Sequence, residues 1–497
     1  MRKEGLDNMK ENTTRVERLK EDILNGPIIK TILVLGWPVM VSNALQMLYN
    51  LVDTYWLGKI GKVAVAAPTV GFPVVFMLIS LGFGFSIAGV SLVSQHTGAG
   101  SSENADKAAG QVIGFMLLSS IFLSALGYVI APGLLDTLMG VPEDVFPKAL
   151  IYIRIIFSGL PLMFIFFAFR SLIRGIGDMV TPMLVTGSSV VANMFLDPVL
   201  IFGMGGLPEM GVAGAAVATV LSRGVASLVA IYLLFSGRLG IKLRFRDLIL
   251  KLRWVKQILR IGLPSAIGQA GTAVGFVLLM GLVSRLGVVA VSAYGIGQRI
   301  IGLLNIAIWG LASPLTTMIG QNIGAKNKER ASLTAKRAYL LSFTVLISLA
   351  LLVFLLRRPL FRIFIDDLAV IDAGARFITI FIWSIPFFGV FVLTSSVFRG
   401  SGHTRPPMVM SLIRLLLLRV GISYVLAFGI VGINMGADGI WLGLFTSNFL
   451  GGVLAFGWFL TGSWKRRTIK ETGSDRVASE EVKESTETAS LSGSPTE

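Results

Sequence analysis

The chain has 497 residues, of which 54 % are hydrophobic and only 14 % are charged, whereas soluble domains usually carry about 25 % charged residues. The apolar residues fall into repeated stretches of about 20 or more, the length that crosses a bilayer. These values exclude a water-soluble domain and predict an all-α polytopic membrane protein, since barrel strands would be about 10 residues long with alternating polarity.

The formal net charge of +16 raises the question of nucleic-acid binding. The basic residues lie in short loops between apolar segments, where they set membrane orientation, so nucleic acid is not an expected partner. The chain contains no cysteine and only two histidines. Disulfides, thiol catalysis and a histidine or cysteine metal cluster are therefore not expected.

The chain begins with a charged segment, residues 1–26, that lacks the apolar core of a signal peptide. We expect it to lie in the cytoplasm. Four apolar residues at helical spacing predict a short surface helix there: Val16, Leu19, Ile23 and Leu24.

Hydropathy predicts twelve spanning helices in two six-helix lobes, residues 27–236 and residues 257–465. The last segment, residues 466–497, is rich in Ser, Thr, Glu and Gly and is expected to be a mostly disordered cytoplasmic tail. The expected spans are 31–57, 64–94, 107–131, 145–170, 180–203 and 212–236, then 257–283, 290–318, 332–356, 372–398, 406–430 and 438–462.

A basic linker, residues 237–256, separates the two lobes. So dense a group of Lys and Arg predicts a cytoplasmic loop. With twelve spans, both termini then lie in the cytoplasm and the chain is a multi-pass protein of the cell membrane. Arg357, Arg358 and Arg362 argue against this orientation, because it places them outside.

The two lobes repeat one another. Gly61-Lys-Val-Ala-Val-Ala-Ala67 recurs as Gly287-Val-Val-Ala-Val-Ser-Ala293, an offset of 226 residues (287 − 61). This offset covers six helices, and an even number preserves chain direction. The lobes are therefore expected to be related by an axis along the membrane normal, with a cavity between them.

The repeat breaks at two acids. Asp53 in the first helix corresponds to Leu279, and Asp197 in the fifth helix corresponds to Ile422. Acids inside membrane spans are costly and usually functional. The difference predicts an ion-coupled transporter whose ion site lies in the first lobe.

The first helix places four polar side chains on one face, at i, i+3, i+4 and i+7: Gln46, Tyr49, Asn50 and Asp53. Ionising a carboxylate in a low dielectric is costly, so Asp53 is a candidate for binding H⁺ or Na⁺. Gln46 and Asn50 are candidates for tuning the ion or touching substrate. The alternative is that Asp53 only reaches the outer interface, beside Tyr55 and Trp56 of an aromatic belt.

In the fifth helix, Asn193 and Asp197 are four residues apart and share a face. Pro198 allows a second interpretation, in which Asp197 caps a helix that begins there. Such a helix would have about ten residues before the next glycine pair, too few to span a bilayer. Asp197 is therefore expected inside a kinked helix, near Asp53, where the two carboxylates could share a proton or a Na⁺ ion.

Three further features have less definite interpretations. Pro38 removes a backbone hydrogen bond and is a candidate hinge, although a static kink fits equally well. Arg414 and Arg419 lie in an apolar run and either line a cavity or snorkel to the interface. Some residues recur in both halves at helix ends, which favours scaffold or hinge work: Gln95 with Gln321, and Arg174 with Arg399.

Neither a phosphate-binding Gly-x-x-x-x-Gly-Lys-Ser/Thr loop nor a nucleophile with a base and an orienting group stands out in the sequence. An enzyme, a cofactor and ATP-driven pumping are therefore not expected. An ion gradient is the remaining energy source.

Several segments together resemble the multidrug and toxic compound extrusion (MATE) transporters, closest to the prokaryotic branch of the DNA-damage-inducible type, over about residues 28–465. They are Trp37-Pro38, Gln46–Gly58, Gln95–Ala99, Arg174–Asp178, Asn193 and Asp197-Pro198.

This resemblance implies twelve helices in two pseudosymmetric lobes and export of cationic, amphiphilic drugs against inward H⁺ or Na⁺ flow. It also implies a cation site formed by Asp53, Asp197, Tyr49 and Asn193, and a proline at position 38 that bends on protonation. The other branch of the family uses acids in helices seven and ten. Helix seven of this chain offers Gln269 and Thr272 instead.

The predicted function is therefore a monomeric efflux antiporter for multiple drugs, driven by an inward H⁺ or Na⁺ gradient, with alternating access between the lobes. The alternative is a flippase for lipid-linked oligosaccharides on the same scaffold, which would favour an arginine-rich cavity. A membrane-embedded enzyme or receptor is a third candidate, but no catalytic constellation or large soluble domain supports it.

Overall fold

The computed structural model describes residues 17–138, 140–429, 434–466 and 468 of the chain. All regular structure within these ranges is helical, which confirms the predicted all-α class. In the described part of the chain, eleven helices are individually long and apolar enough to cross a membrane, and a bent pair of shorter helices, counted as one span, makes twelve. Most of the predicted tail, and the predicted helical residue Val16, lie outside the described residues.

The first lobe contains the six spanning segments α1 to α6. The fourth consists of two helices that meet at a 50° bend at Gly159. In chain order the segments are Ile28–Ile60 (α1), Lys62–Gly98 (α2), Ser102–Gly133 (α3), Phe146–Ser158 with Leu160–Gly175 (α4), Val180–Phe202 (α5) and Val212–Ser236 (α6).

The second lobe repeats this order in α7 to α12. Its fifth segment changes from α- to π-helical hydrogen bonding over Ile413–Gly421. In chain order the segments are Leu252–Ser284 (α7), Val288–Gly324 (α8), Lys328–Leu355 (α9), Leu368–Phe381 with Ile385–Gly400 (α10), Arg405–Leu412 through Ile422–Phe428 (α11) and Ala437–Leu460 (α12).

The lengths of the helices follow the sequence repeat. Segments α1 and α7 both have 33 residues, and α2 and α8 both have 37 residues. Each lobe has its own hydrophobic core. The two pseudosymmetric bundles are therefore as predicted.

The lobes exchange the beginnings of their first helices. The first turns of α1 pack into the core of the second lobe through Ile28, Ile32, Leu35 and Val39. The first turns of α7 pack into the core of the first lobe through Ile258 and Ile261. This exchange places both lobe contacts at one end of the bundle, the end that carries the 237–251 connection between α6 and α7. We call it the basic end.

Three hydrogen bonds cross between the lobes at the basic end. The side chain of Gln95 donates to the carbonyl oxygen of Gly400 at 3.0 Å, and that of Gln321 donates to the carbonyl oxygen of Gly175 at 3.1 Å. Thr317 Oγ1 donates to the carbonyl oxygen of Arg174 at 2.8 Å. Gln95 and Gln321 therefore hold the lobes together in pseudosymmetric positions.

The chain before α1 also joins the basic end. Residues 17–24 are helical, as expected, but Ile23 is fully buried in the core of the second lobe instead of lying on a lipid surface. Arg330 Nε donates to the carbonyl oxygen of Ile23 at 3.2 Å, and its Nη2 donates to that of Gly26. This short helix is therefore part of the packed bundle.

The connection between the lobes is tied to α3. Gln111 Nε2 donates to the carbonyl oxygens of Asp247 at 2.7 Å and Ile249 at 2.6 Å, while its Oε1 accepts from the backbone N–H of Lys251 at 2.7 Å. Segment α7 begins at Leu252, so the last part of the predicted linker 237–256 is already helical.

The basic residues that opposed the predicted orientation lie at the other end of the bundle. Arg357–Arg362 form a short helix, and Arg358 makes an exposed salt bridge of 2.8 Å with Asp372. Part of their positive charge is therefore balanced locally.

Candidate functional site

Helix α1 presents Tyr49 to the interior of the first lobe. Its hydroxyl lies 2.7 Å from Thr219 Oγ1 of α6, and the residue is buried. Asp53, one turn further along, is half-buried, and its Oδ1 atom is buried without a hydrogen-bond partner among the described residues. Asn50 lies exposed, so the structure does not bring its side chain into the same interior position.

Helix α5 supplies the second acid. Asp197 is fully buried and accepts a hydrogen bond from Asn193 Nδ2 at 3.1 Å. Helix α5 runs without interruption from Val180 through Pro198 to Phe202. Asp197 therefore lies inside a helix, as the sequence favoured, and not at a helix start.

The two acids occupy one region of the first lobe. Helices α1 and α5 pack against each other, and the carboxyl groups of Asp53 and Asp197 lie close enough to interact electrostatically. Three oxygen atoms there are buried without a hydrogen-bond partner among the described residues: Asp53 Oδ1, Asp197 Oδ2 and Asn193 Oδ1. Unpaired buried acceptors are rare in proteins, and a proton or a Na⁺ ion would satisfy them.

The two aromatic residues of the aromatic-belt alternative for Asp53 differ in their surroundings. Tyr55 is 56 % exposed and lies beneath the ammonium group of Lys59, 5.2 Å from its ring centre. Trp56 packs edge-on against Phe202 at 5.9 Å. Asp53 thus lies where the outward aromatic residues meet the buried polar interior of the lobe.

A small cavity of ≈ 10 Å³ adjoins Tyr49 in the first lobe. It has room for about one water molecule and is too small for a drug, and neither Asp53 nor Asp197 lines it. Seven polar or aromatic residues line it, together with Val190: Gln46, Tyr49, Phe166, Thr186, Ser189, Ser222 and Arg223.

The sequence analysis did not predict two neighbours of this site, Thr219 and Arg223. Thr219 is the hydrogen-bond partner of Tyr49, and the Arg223 guanidinium lies 5.5 Å from the centre of the Tyr49 ring. Arg223 carried a usable signal, because a cation inside the apolar run of α6 is as unusual as one in α11. Thr219 carried none, since threonines are common in spanning helices.

A larger cavity of ≈ 330 Å³ lies between the lobes. Its lining follows the pseudosymmetry, because most of its residues pair at the repeat offset of 225 or 226. The pairs are Asn43 with Gln269, Phe83 with Trp309, Ile87 with Ser313, Val90 with Thr316, Ser171 with Ser396 and Arg174 with Arg399. We call this the central cavity, and it has the volume of a site for small organic molecules.

The sequence interpretation gave Arg174 and Arg399 a scaffold role, and the structure shows such a role only for the backbone of Arg174. The carbonyl oxygen of Arg174 accepts a hydrogen bond across the lobe interface, but both side chains line the central cavity. Arg170, one turn before Arg174 on α4, lines it as well.

The proposed hinge residue, Pro38, lies inside an unbroken α1 helix. It is buried, and its carbonyl oxygen accepts a hydrogen bond from Ser42 Oγ at 2.8 Å. It stands directly before Val39, which packs into the second lobe and lines the central cavity. A bend at Pro38 would therefore move a lobe contact and the cavity wall together.

Arg414 and Arg419 form a separate polar cluster in the second lobe. Both donate to Asn448 Oδ1 of α12, from Arg414 Nη1 at 3.0 Å and from Arg419 Nη2 at 2.8 Å. The Arg414 guanidinium also lies 4.6 Å from the centre of the Phe391 ring. Neither arginine lines the central cavity. Neither snorkels freely, because the Arg414 side chain is buried and the Arg419 side chain donates to Ser447 and Asn448.

Comparison with known proteins gives consistent results. A family model described as MatE matches residues 38–199 and residues 264–425, one copy in each lobe. A probable multidrug resistance protein NorM of Thermotoga maritima is 28 % identical over 444 residues, covering 89 % of this chain and 94 % of the relative. An FAD transporter of Shewanella oneidensis is 27 % identical over 443 residues, covering 88 % and 95 %.

Solved structures agree with these relatives. One described as the outward-facing conformation of a multidrug resistance MATE family transporter superposes with a TM-score of 0.82 at 25 % identity. The match covers 90 % of this chain and 98 % of that one.

Proposed function

The chain belongs to the MatE family of membrane transporters, and from this premise we propose a secondary active exporter of amphiphilic small molecules. In this proposal Asp53 and Asp197 take up H⁺ or Na⁺ from outside the cell, and the ion drives the substrate outward. The family accounts for transport without enzymatic chemistry. Beyond membership of this family, we propose the ion site and the direction of coupling.

The observation that carries the proposal is the set of unpaired buried oxygens around Asp197. Asp53 Oδ1, Asp197 Oδ2 and Asn193 Oδ1 have no described hydrogen-bond partner. A bound proton would supply a donor, and carboxylate and amide oxygens are ligands of the type that Na⁺ takes. The described part of the second lobe also has buried oxygens without a partner, on Asn305, Gln321 and Asn322, but no carboxylate is among them. Leu279 replaces the first acid there, and the buried charged residue is Arg414.

Alternating access is supported by the position of the lobe contacts. The three hydrogen bonds between the lobes lie at the basic end, which the positive-inside rule assigns to the cytoplasm, with both termini. In this state the central cavity is closed toward the cytoplasm. Ion and substrate would compete because each binds one of two lobe arrangements more tightly.

The site and the central cavity are connected through α4. Phe166 lines the small cavity beside Tyr49, whereas the next residue, Phe167, lines the central cavity. A rearrangement around Tyr49, one turn from Asp53 on α1, therefore has a short mechanical route to the substrate site. Pro38 on α1 offers a second route, as the resemblance implies.

The expected substrates are amphiphilic drug-like molecules, handled by a monomer. The volume of the central cavity and its aromatic residues Phe83, Phe167 and Trp309 suit an apolar ring system. Identity of 27 % to a relative named as an FAD transporter, against 28 % to one named as a multidrug resistance protein, does not select the substrate.

The arginines of the central cavity favour one second candidate. A flippase for lipid-linked oligosaccharides must bind a pyrophosphate, and Arg170, Arg174 and Arg399 supply positive charge in the cavity. Dye efflux without lipid translocation would reject this candidate.

The decisive experiment measures dye efflux from proteoliposomes, driven separately by a pH gradient and by a Na⁺ gradient. Wild type should respond to at least one gradient. Asp53→Asn and Asp197→Asn should abolish the response while still folding, and Asp372→Asn, in an exposed salt bridge, should behave as wild type. Gradient-driven efflux by both asparagine variants would reject the proposed ion site.

A further inference from the structure

The central cavity contains three arginine side chains and no acidic one. Arg170 and Arg174 reach it from α4, and Arg399 reaches it from α10. Among the described residues no Asp or Glu lines the cavity, and none forms a salt bridge with these three arginines. The cavity therefore holds an excess of positive charge.

The guanidinium groups also retain unused donors. The Nε atoms of all three arginines, and Nη2 of Arg174, are buried without a hydrogen-bond partner among the described residues. The Arg170 guanidinium lies over the Phe166 ring, 5.7 Å from the ring centre. The three side chains are half-buried, and a charge held away from water is costly unless it is paired and hydrogen-bonded. They therefore favour a partner that the described residues do not provide.

The helix dipole explains the positions of two of the three arginines. Arg174 and Arg399 lie in the last turns of their helices, where the helix dipole favours a cation. Arg170 lies one turn earlier and lacks this support. The dipole also leaves the directional N–H groups unpaired, and two parallel donors in a fork match a carboxylate or phosphate better than they match water.

The rest of the lining suits the body of an amphiphile. Phe83 and Phe167 stack with their centres 4.7 Å apart, and Trp309 is the pseudosymmetric mate of Phe83. Asn43 and Gln269 add neutral amides at equivalent positions. The cavity thus has an aromatic wall beside a cluster of cationic donors.

We propose that the central cavity binds the carboxylate or phosphate group of an amphiphilic organic anion or zwitterion, with Arg170, Arg174 and Arg399 as donors. The substrate class of this exporter, whose transport mode rests on the function proposed above, is then defined by an anionic group and an aromatic body. A purely cationic amphiphile meets uncompensated repulsion in this cavity. The acids Asp53 and Asp197 stay reserved for the coupling ion.

The test compares ligands that differ only in the anionic group. Riboflavin phosphate is compared with riboflavin, and indole-3-acetate with indole-3-acetamide. Binding is measured by equilibrium dialysis against the purified full-length protein in nanodiscs, with empty nanodiscs as the background. Because no ion gradient is used, the result does not depend on the ion coupling.

Wild type should bind the anionic member of at least one pair about tenfold more tightly. If wild type shows the preference in just one of the two pairs, that pair identifies the recognised group as a carboxylate or as a phosphate. Arg399→Gln and Arg170→Gln should remove the preference for the anionic member. Arg399→Lys, which keeps the charge, should retain part of it, and Arg337→Gln, at an exposed position on α9, should leave it unchanged.

Equal binding of the two members in both pairs by wild type would overturn the proposal, whether or not the variants fold. A wild-type preference that survives in both glutamine variants would also overturn it, because the anion would then bind elsewhere. Neither result bears on gradient-driven efflux by the aspartate variants, so the two proposals fail separately.

Discussion

Gly98 of α2 packs directly against the carbonyl oxygen of Gln321 of α8, with no space for a β-carbon. The pseudosymmetric contact places Gly324 against the carbonyl oxygen of Gln95. The same two glutamines donate the hydrogen bonds that join the lobes. Closure of the basic end therefore depends on two glycines that permit the backbones to approach and two side chains that hold them there.

Gly98→Ala and Gly324→Ala should weaken this closure. Overpacking costs about 1–3 kcal/mol, which shifts the ratio of the two lobe arrangements by about 5- to 150-fold. Since the chain has no cysteine, spin labels can be attached at Glu103→Cys and Glu329→Cys on α3 and α9. Both alanine variants should lengthen the distance between the two labels.

Gly302→Ala is the matched control, because a β-carbon on Gly302 meets nothing within 4 Å. It should keep the wild-type distance distribution. An unchanged distribution in Gly98→Ala and Gly324→Ala would show that the two glycines do not control closure.

The hydroxyl of Tyr49 should serve ion coupling in addition to stability. Tyr49→Phe removes a buried hydrogen bond to Thr219, at a cost of about 1 kcal/mol in the free energy of unfolding. It should also shift the pH or Na⁺ dependence of efflux, because the phenol lies beside the two acids. Thr219→Val should cost a similar amount, because each substitution leaves the hydroxyl of the other residue buried and unpaired.

The second lobe supplies a control of identical chemistry. Tyr339 and Thr394 form a buried pair at 2.8 Å, with no acid as partner. Tyr339→Phe should lose a similar free energy of unfolding, measured in mixed micelles, and leave the ion dependence of efflux unchanged. Equal shifts of ion dependence in both variants would make Tyr49 a purely structural residue.

Asn448 should tolerate a negative charge. Its Oδ1 atom accepts from both Arg414 and Arg419, so Asn448→Asp supplies a counter-ion and should raise the midpoint of thermal unfolding. Asn448→Leu leaves both guanidinium groups without this acceptor and should cost about 2–4 kcal/mol. Thermal unfolding of the purified variants measures both effects.

The same substitution should have the opposite sign in the first lobe. Asn193→Asp removes the donor to Asp197 and places a second carboxyl group beside it, so the unfolding midpoint should fall. A higher unfolding midpoint for Asn193→Asp, or a lower one for Asn448→Asp, would show that the two lobes do not require opposite charges at these positions.

His403, in the loop between α10 and α11, should make stability depend on pH. Burial, and next the guanidinium of Arg260, hold its pKa below the ordinary 6.5. Protonation therefore favours the unfolded chain. The contribution of His403 to stability is complete above pH 6.5 and is lost as the pH falls toward the lower folded-state pKa.

His403→Gln should flatten the pH dependence of the unfolding midpoint below pH 6.5, relative to wild type. Arg260→Gln should flatten it in part, because it removes the second cause of the shift. A steeper dependence in His403→Gln would mean that the folded protein prefers the protonated ring.

The sequence alone determined the class, the lobes and the two acids. Apolar runs long enough to cross a bilayer predict spanning helices with few alternatives, because unpaired backbone groups are too costly in lipid. The repeat relates the lobes, and Asp53 and Asp197 stand out because an acid in an apolar run is rare.

Only the tertiary structure decided which side chains share a space. Asn50 and Tyr49 are adjacent in sequence and about 100° apart on α1, and the rotation of α1 against α5 and α6 buries one and exposes the other. Thr219 meets Tyr49 from α6, and Arg174 and Arg399 enter one cavity from opposite lobes. Helical spacing defines a face, whereas packing between helices determines what that face meets.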